Sequence, residues 1–278
     1  MIRLASLLVL LAPLAAIGQE SSDLHPYLGG KYFTSVGLFL PDQAVKLGLD
    51  ASVEIPEAGP APYIDFSETF SFSDSDQAFS AEFGWRYAGN WQLRGQYFRV
   101  DSDSTVTLEQ DVEWGDVEYN TGTSIGAGSD MQITRLFFGR TFRSSGSREF
   151  GLGIGAHILD LAAFIEGNAT VDGADVGYRK ERASIAQPLP NFGAWYVHAF
   201  DSNWAARLRF DWLSASVGKY DGRIINSSAS IGYAIGDHFG LALAYNYFEL
   251  AVDVDDGDWQ GRVKLRFNGP YIALTGYW

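Results

Sequence analysis

Apolar and polar side chains alternate one by one along much of the chain. In Trp204, Ala206, Leu208, Phe210 and Trp212 the even positions are apolar, while Ala205, Arg207, Arg209 and Asp211 stand between them. A β-strand sends successive side chains to opposite faces, so this segment has one oily face and one charged face. The contrast recurs. Phe79, Phe83 and Trp85 alternate with Ser80, Glu82 and Arg86; Trp91, Leu93 and Tyr97 with Gln92, Arg94 and Gln96; Phe239, Leu241, Leu243 and Tyr245 with Gly240, Ala242, Ala244 and Asn246. Near the end, Val263, Leu265 and Phe267 alternate with Arg262, Lys264 and Arg266. The pattern predicts about ten strands, within a range of eight to twelve, near 30–40, 76–88, 91–102, 131–143, 148–165, 187–200, 203–218, 223–235, 238–252 and 259–278, with 41–75 either one long loop or a further hairpin that would make twelve.

Two folds produce such a pattern. A soluble sandwich turns the oily face inward, and a membrane barrel turns it outward, with polar residues in the lumen. Aromatic residues at the strand ends, Trp85, Tyr87, Trp91, Trp204, Trp212, Tyr245 and Tyr247, suit interfacial girdles. Very short turns, at Gly89-Asn90, Ser144 to Ser147, Asp201 to Asn203 and Gly236-Asp237, alternate with long polar connections at 41–75, 102–130, 167–186 and 252–260. Short turns on one side and long loops on the other are the arrangement of an antiparallel up-and-down transmembrane β-barrel. The expected lumen residues are Glu82, Arg86, Arg94, Arg135, His157, Arg207, Arg209, Asp211, Arg262, Lys264 and Arg266.

The last strand, Tyr271-Ile-Ala-Leu-Thr-Gly-Tyr-Trp278, ends on an aromatic residue with Ile272 and Leu274 on the same face as Trp278. It resembles the C-terminal strand of bacterial outer-membrane β-barrel proteins, departing from it at Gly276, where that family carries a bulky residue. The chain as a whole is similar to small barrels of the OmpA and OmpX type, with longer loops. The resemblance implies a Gram-negative outer-membrane location, contact with outer-membrane lipid and lipopolysaccharide, and recognition of Ile272, Leu274 and Trp278 by the barrel-assembly machinery. It implies no particular activity.

The first residues agree with export. Met1-Ile-Arg3, the apolar run Leu4 to Ala16 and the small-residue site Ala16-Ile-Gly18 form a secretory signal peptide over 1–18, leaving 19–278 as one barrel domain. The 278 residues contain no cysteine, which excludes disulfides and thiolate metal sites. A formal net charge of −14 speaks against a nucleic-acid partner.

Candidate chemistry is sparse, and the sequence nominates no cofactor. The lumen charges are expected to pair into a polar core, or else to line a narrow porin-like passage whose arginine excess favours anions. Acidic loops around Asp101 to Glu118 and Asp253 to Asp258 are candidates for divalent cations, although the second lacks calcium-loop spacing. Among the four histidines only His157 sits mid-strand, and Asp160 falls on the opposite face, so no nucleophile–base pair is nominated for a lipid-modifying enzyme. Gly151-Leu-Gly-Ile-Gly155 lacks the geometry of a nucleotide loop and reads instead as a strand face that leaves room inside the barrel. The expected role is structural or surface interaction without catalysis, with a diffusion pore as the alternative.

Overall fold

In a computed structural model the described residues are 24–50, 64–65, 78–87, 90–109, 111–114, 117–217, 220–255 and 260–278. The proposed signal peptide lies outside them. Ten antiparallel strands close into a barrel: β1 (Tyr32–Phe39, continuing as Asp42–Asp50), β2 (Ala78–Tyr87), β3 (Trp91–Thr107), β4 (Ser124–Ser144), β5 (Arg148–Val171), β6 (Ala174–Ala199), β7 (Trp204–Val217), β8 (Tyr220–Ile235), β9 (Phe239–Asp255) and β10 (Gln260–Tyr277). Each strand pairs with the next, and β1 pairs with β10 to complete the ring.

The two parts of β1 form one strand. Phe39 lies opposite Tyr271 and Asp42 opposite Asn268, so the register runs unbroken past Leu40-Pro41. At that crossing a side chain on Gly269 would collide with the Leu40 carbonyl, which explains the glycine.

The strands reach further than their alternation predicts. Residues 102–130 and 167–186, expected as loops, are largely strand. The β5–β6 hairpin turns at Asp172-Gly173, both at positive φ (50° and 76°), as a type I′ turn requires. The 108–123 connection contains a small hairpin of Val112–Trp114 and Val117–Tyr119.

Side-chain facing divides the wall into two zones. In the lower zone apolar residues face outward. Leu208 (54% exposed) and Leu274 (68%) belong to this belt, which also includes Phe142, Ile154, Phe192 and Leu243. On β5 it runs from Phe150 to Ile158, and on β9 from Phe239 to Tyr247. Each run is nine residues, the length a tilted membrane strand needs. In the upper zone the pattern reverses without a break in alternation. Met131, Ile133, Leu159, Leu161, Ile165, Leu250, Leu265 and Phe267 are buried inside, while Arg99, Asp101, Asp160 and Arg223 face water. The reversal marks where the wall leaves the hydrocarbon: outside it, water is the surrounding solvent and the oily face must turn in.

Above the belt the ring also parts. Among the described residues, pairing of β6 with β7 stops at Phe192–Trp212, whereas β1 goes on pairing above Phe39, with Lys46 opposite Asp65 and Leu47 opposite Ile64. Pro188 and Pro190, which have no N–H to donate, stand just past the β6–β7 stop. The upper wall is therefore open along this seam, and its inner faces pack across the lumen. Phe98 of β3 meets Phe248 of β9 and Phe267 of β10, with ring centroids 6.1 and 6.5 Å apart.

Candidate functional site

The lumen has three layers. At the periplasmic mouth, residues 25–30 fold inward as a single helical turn, Pro26–Gly29. Pro26 suits the first helical position, and the His25 ring accepts a hydrogen bond from the Tyr27 N–H (3.1 Å), capping the turn. Tyr27 is buried against Phe33, 5.0 Å between ring centroids. The Arg86 guanidinium donates to the carbonyls of Tyr27 (2.5 Å) and Gly30 (3.1 Å), fastening the turn to the wall. His25 reaches the Asn203 carbonyl at 3.2 Å in the β6–β7 turn. Burial pushes its imidazole below the ordinary value, while the Asn203 carbonyl and the Asp201 carboxylate pull the other way.

The middle layer is ionic. Arg135 grips Asp211 through two hydrogen bonds, 2.6 and 2.7 Å, with both side chains essentially inaccessible. His157 Nε2 lies 4.0 Å from Asp211 and 2.8 Å from the Asn226 amide. Arg209 donates to Asn226 (3.2 Å) and Gln96 (2.6 Å). Arg207 holds both oxygens of Glu82 at 3.2 and 3.1 Å. Glu149 accepts from Gln92 (2.9 Å), Trp195 (2.7 Å) and Arg86 (3.2 Å), with Arg94 at 3.8 Å. The third layer is the apolar cluster that fills the upper lumen, which caps the ionic layer from above.

The structure therefore gathers Glu82, Arg86, Arg94, Arg135, His157, Arg207, Arg209 and Asp211 into one ionic layer inside the wall, in three bonded groups around Glu82, Glu149 and Asp211. Lys264 and Arg266 are corrected: they stand exposed on the outer face, because β10 alternates regularly and Leu265 and Phe267 are the residues turned inward. The side chain of Arg262 lies outside the described residues. Ile272, Leu274 and Trp278 face outward together. Trp278 also exchanges backbone hydrogen bonds with Tyr32 (2.9 and 2.7 Å) across the closing seam.

Glu149, a hub of the network, was missed by sequence reading, although it shares parity with Gly151, Gly153 and His157 against Phe150, Leu152 and Ile154. Tyr27 carried no signal, since its segment has no alternation. The room left by Gly151, Gly153 and Gly155 is taken by the Trp195 and Phe137 rings. Asp160 is exposed and faces away from His157. Among the described residues no three carboxylate or imidazole groups converge as a metal site. Asp256 and Asp258 of the last acidic loop lie outside the described residues.

A closed ten-stranded barrel with an oily outer belt is the architecture of bacterial outer-membrane proteins. Comparison with solved structures shows the same fold. It is similar in fold to the outer-membrane protease OmpT from Escherichia coli, with a TM-score of 0.55 and 9% identity over 89% of this chain and 96% of that one. Weaker likenesses are to the toluene transporter TodX of Pseudomonas putida (TM-score 0.39, 9% identity, 91% of each chain) and to Ail, the attachment invasion locus protein of Yersinia pestis (0.28, 10%, 87% and 98%). No protein-family model and no curated protein matches the sequence.

Proposed function

We propose that this protein is a closed, non-conducting outer-membrane barrel that serves as a rigid base for an extracellular interaction surface. The observation that carries the reading is the stacking of three seals in the lumen: the Tyr27 turn below, the ion network at mid-height and the Phe98–Phe248–Phe267 cluster above. A passage for solutes would need all three to open. The upper wall and its acidic connections then present the surface that meets other molecules, as loops do in this architecture. Contact with lipopolysaccharide at the belt's upper rim belongs to the same reading.

The reading assigns no catalysis. His157 is enclosed between the ionic and apolar layers beside Asp211, Asn226 and Asn191, and among the described residues no hydroxyl nucleophile is a hydrogen-bond partner of it. The protease activity named for OmpT is not carried over, because a shared fold does not transfer an activity. The test is single-channel conductance of the refolded barrel in planar bilayers. Silence from protein with heat-modifiable gel migration is expected, and reproducible conductance steps would replace the closed barrel with a pore.

A further inference from the structure

The ionic layer is not neutral. Among the described residues, five guanidinium groups, those of Arg86, Arg94, Arg135, Arg207 and Arg209, face three carboxylates, Glu82, Glu149 and Asp211, which leaves two positive charges in excess. Arg207 is matched to Glu82 and Arg135 to Asp211, while Arg86 and Arg94 share Glu149. Arg209 is the exception. Its hydrogen bonds go to the neutral oxygens of Gln96 and Asn226, no carboxylate pairs with it among the described residues, and its Nε–H is buried without a partner. A cation taken out of water without a counter-charge is strongly destabilising.

Arg209 lines an internal cavity of about 30 Å³. Arg94 and Arg207 share its wall with the small hydroxyl side chains Ser80, Ser228 and Ser230. Glu82 also lines it, but both its oxygens are engaged by Arg207. Three guanidinium groups and several hydroxyls around a space sized for a monatomic ion or a water or two form a donor-rich pocket.

We propose that this cavity holds a small inorganic anion, a halide or an ion of like size, as the counter-ion of Arg209. The ion is resident rather than in transit, since apolar layers close the lumen on both sides. It offsets one of the two excess charges, the one on Arg209, without requiring a conducting path.

The test uses the full barrel refolded in neutral detergent, with the midpoint of heat-modifiable migration measured in sodium chloride, sodium bromide and sodium gluconate at matched ionic strength and pH. Gluconate is too large for the cavity. The expected result is a saturable rise in midpoint with either halide, about 5–10 °C at a hundredfold excess over the dissociation constant. Arg209→Gln should remove the halide dependence. Ser230→Val, which fills the cavity and leaves every charge in place, should remove it too and decides the matter if the arginine variant does not fold. Equal midpoints in the three salts would mean that the cavity holds only water, and a halide shift that persists in Ser230→Val would place the ion elsewhere; either result overturns the proposal.

Discussion

Leu265 and Leu274 lie nine residues apart on one regular strand and face opposite sides of the wall, the first fully buried and the second 68% exposed. An odd spacing on an unbroken strand demands this. Two leucines of the same strand therefore face different surroundings, a packed protein interior and lipid. The outer residues beside Leu265 are correspondingly the cations Lys264 and Arg266.

Charge placed on the two faces should therefore act differently at the two heights. Leu208→Arg, on the outer face of the belt, is expected to destabilise the barrel by ~2–4 kcal/mol. Arg266→Leu, on the outer face above the belt, should change stability by less than about 0.5 kcal/mol. Denaturant unfolding in lipid vesicles measures both. Equal losses would show that the belt extends further up β10 than the exposure pattern indicates.

The Arg135–Asp211 pair should show the asymmetry of buried ion pairs. Asp211→Asn leaves a buried guanidinium without its charge partner and is expected to cost about 3–5 kcal/mol. The double change Arg135→Met with Asp211→Leu should recover most of that loss, because neither side chain then carries a charge. A double variant no more stable than the single one would mean that the pair positions the surrounding network.

Docking of the Tyr27 turn should weaken in mild acid. Burial depresses the His25 imidazole in the folded state below its unfolded value of 6.5. Such a group contributes fully above the unfolded value, and its contribution is lost as pH falls from there towards the depressed folded value. Exchange protection of the Gly30 amide, which bonds the Pro26 carbonyl at 2.8 Å, should therefore drop between pH 7.5 and pH 5 in the native protein. In His25→Gln that pH dependence should disappear. Unchanged protection in the native protein would indicate that the turn stays docked whichever form His25 takes.

Removing the lower seal alone should not open the lumen. Tyr27→Ala empties the space against Phe33 but leaves the ion network and the upper cluster in place. Conductance is expected to remain absent. Steps seen in this variant would make the N-terminal turn the sole barrier.

Deleting Trp278 should slow insertion, both because its backbone closes the seam to Tyr32 and because its ring belongs to the outward row with Ile272 and Leu274. The fraction of chain reaching the heat-modifiable form reports it. Insertion at the normal rate would remove the role given to this residue.

Strand number and the facing of β7 were legible in the sequence because each membrane-level strand repeats the same contrast, as between Leu208 and Arg209. The upper zone was misread for a physical reason. Alternation reveals that a strand has two unlike faces but not which one meets solvent, and here the solvent changes along a single strand. Leu265 and Leu274 held the clue, since two apolar residues of opposite parity cannot both face lipid. The Asp172-Gly173 turn was also readable, as an Asp-Gly step between extended segments, but the surrounding Glu, Arg and Lys made it look like a loop. The partners within the lumen were out of reach: that Asp211 meets Arg135 rather than Arg86 depends on register across four strands, which no local pattern records.

The parting of β6 from β7 above Phe192 gives the molecule two kinds of cohesion. Within the membrane the wall is a closed ladder in which no strand can leave without breaking backbone hydrogen bonds on both sides. Above it, the described residues of β6 and β7 share no backbone pairing, and that seam is held by side-chain packing across the lumen, which comes apart one contact at a time. The upper wall along this seam therefore has a lower local stability than the ring in the hydrocarbon beneath it.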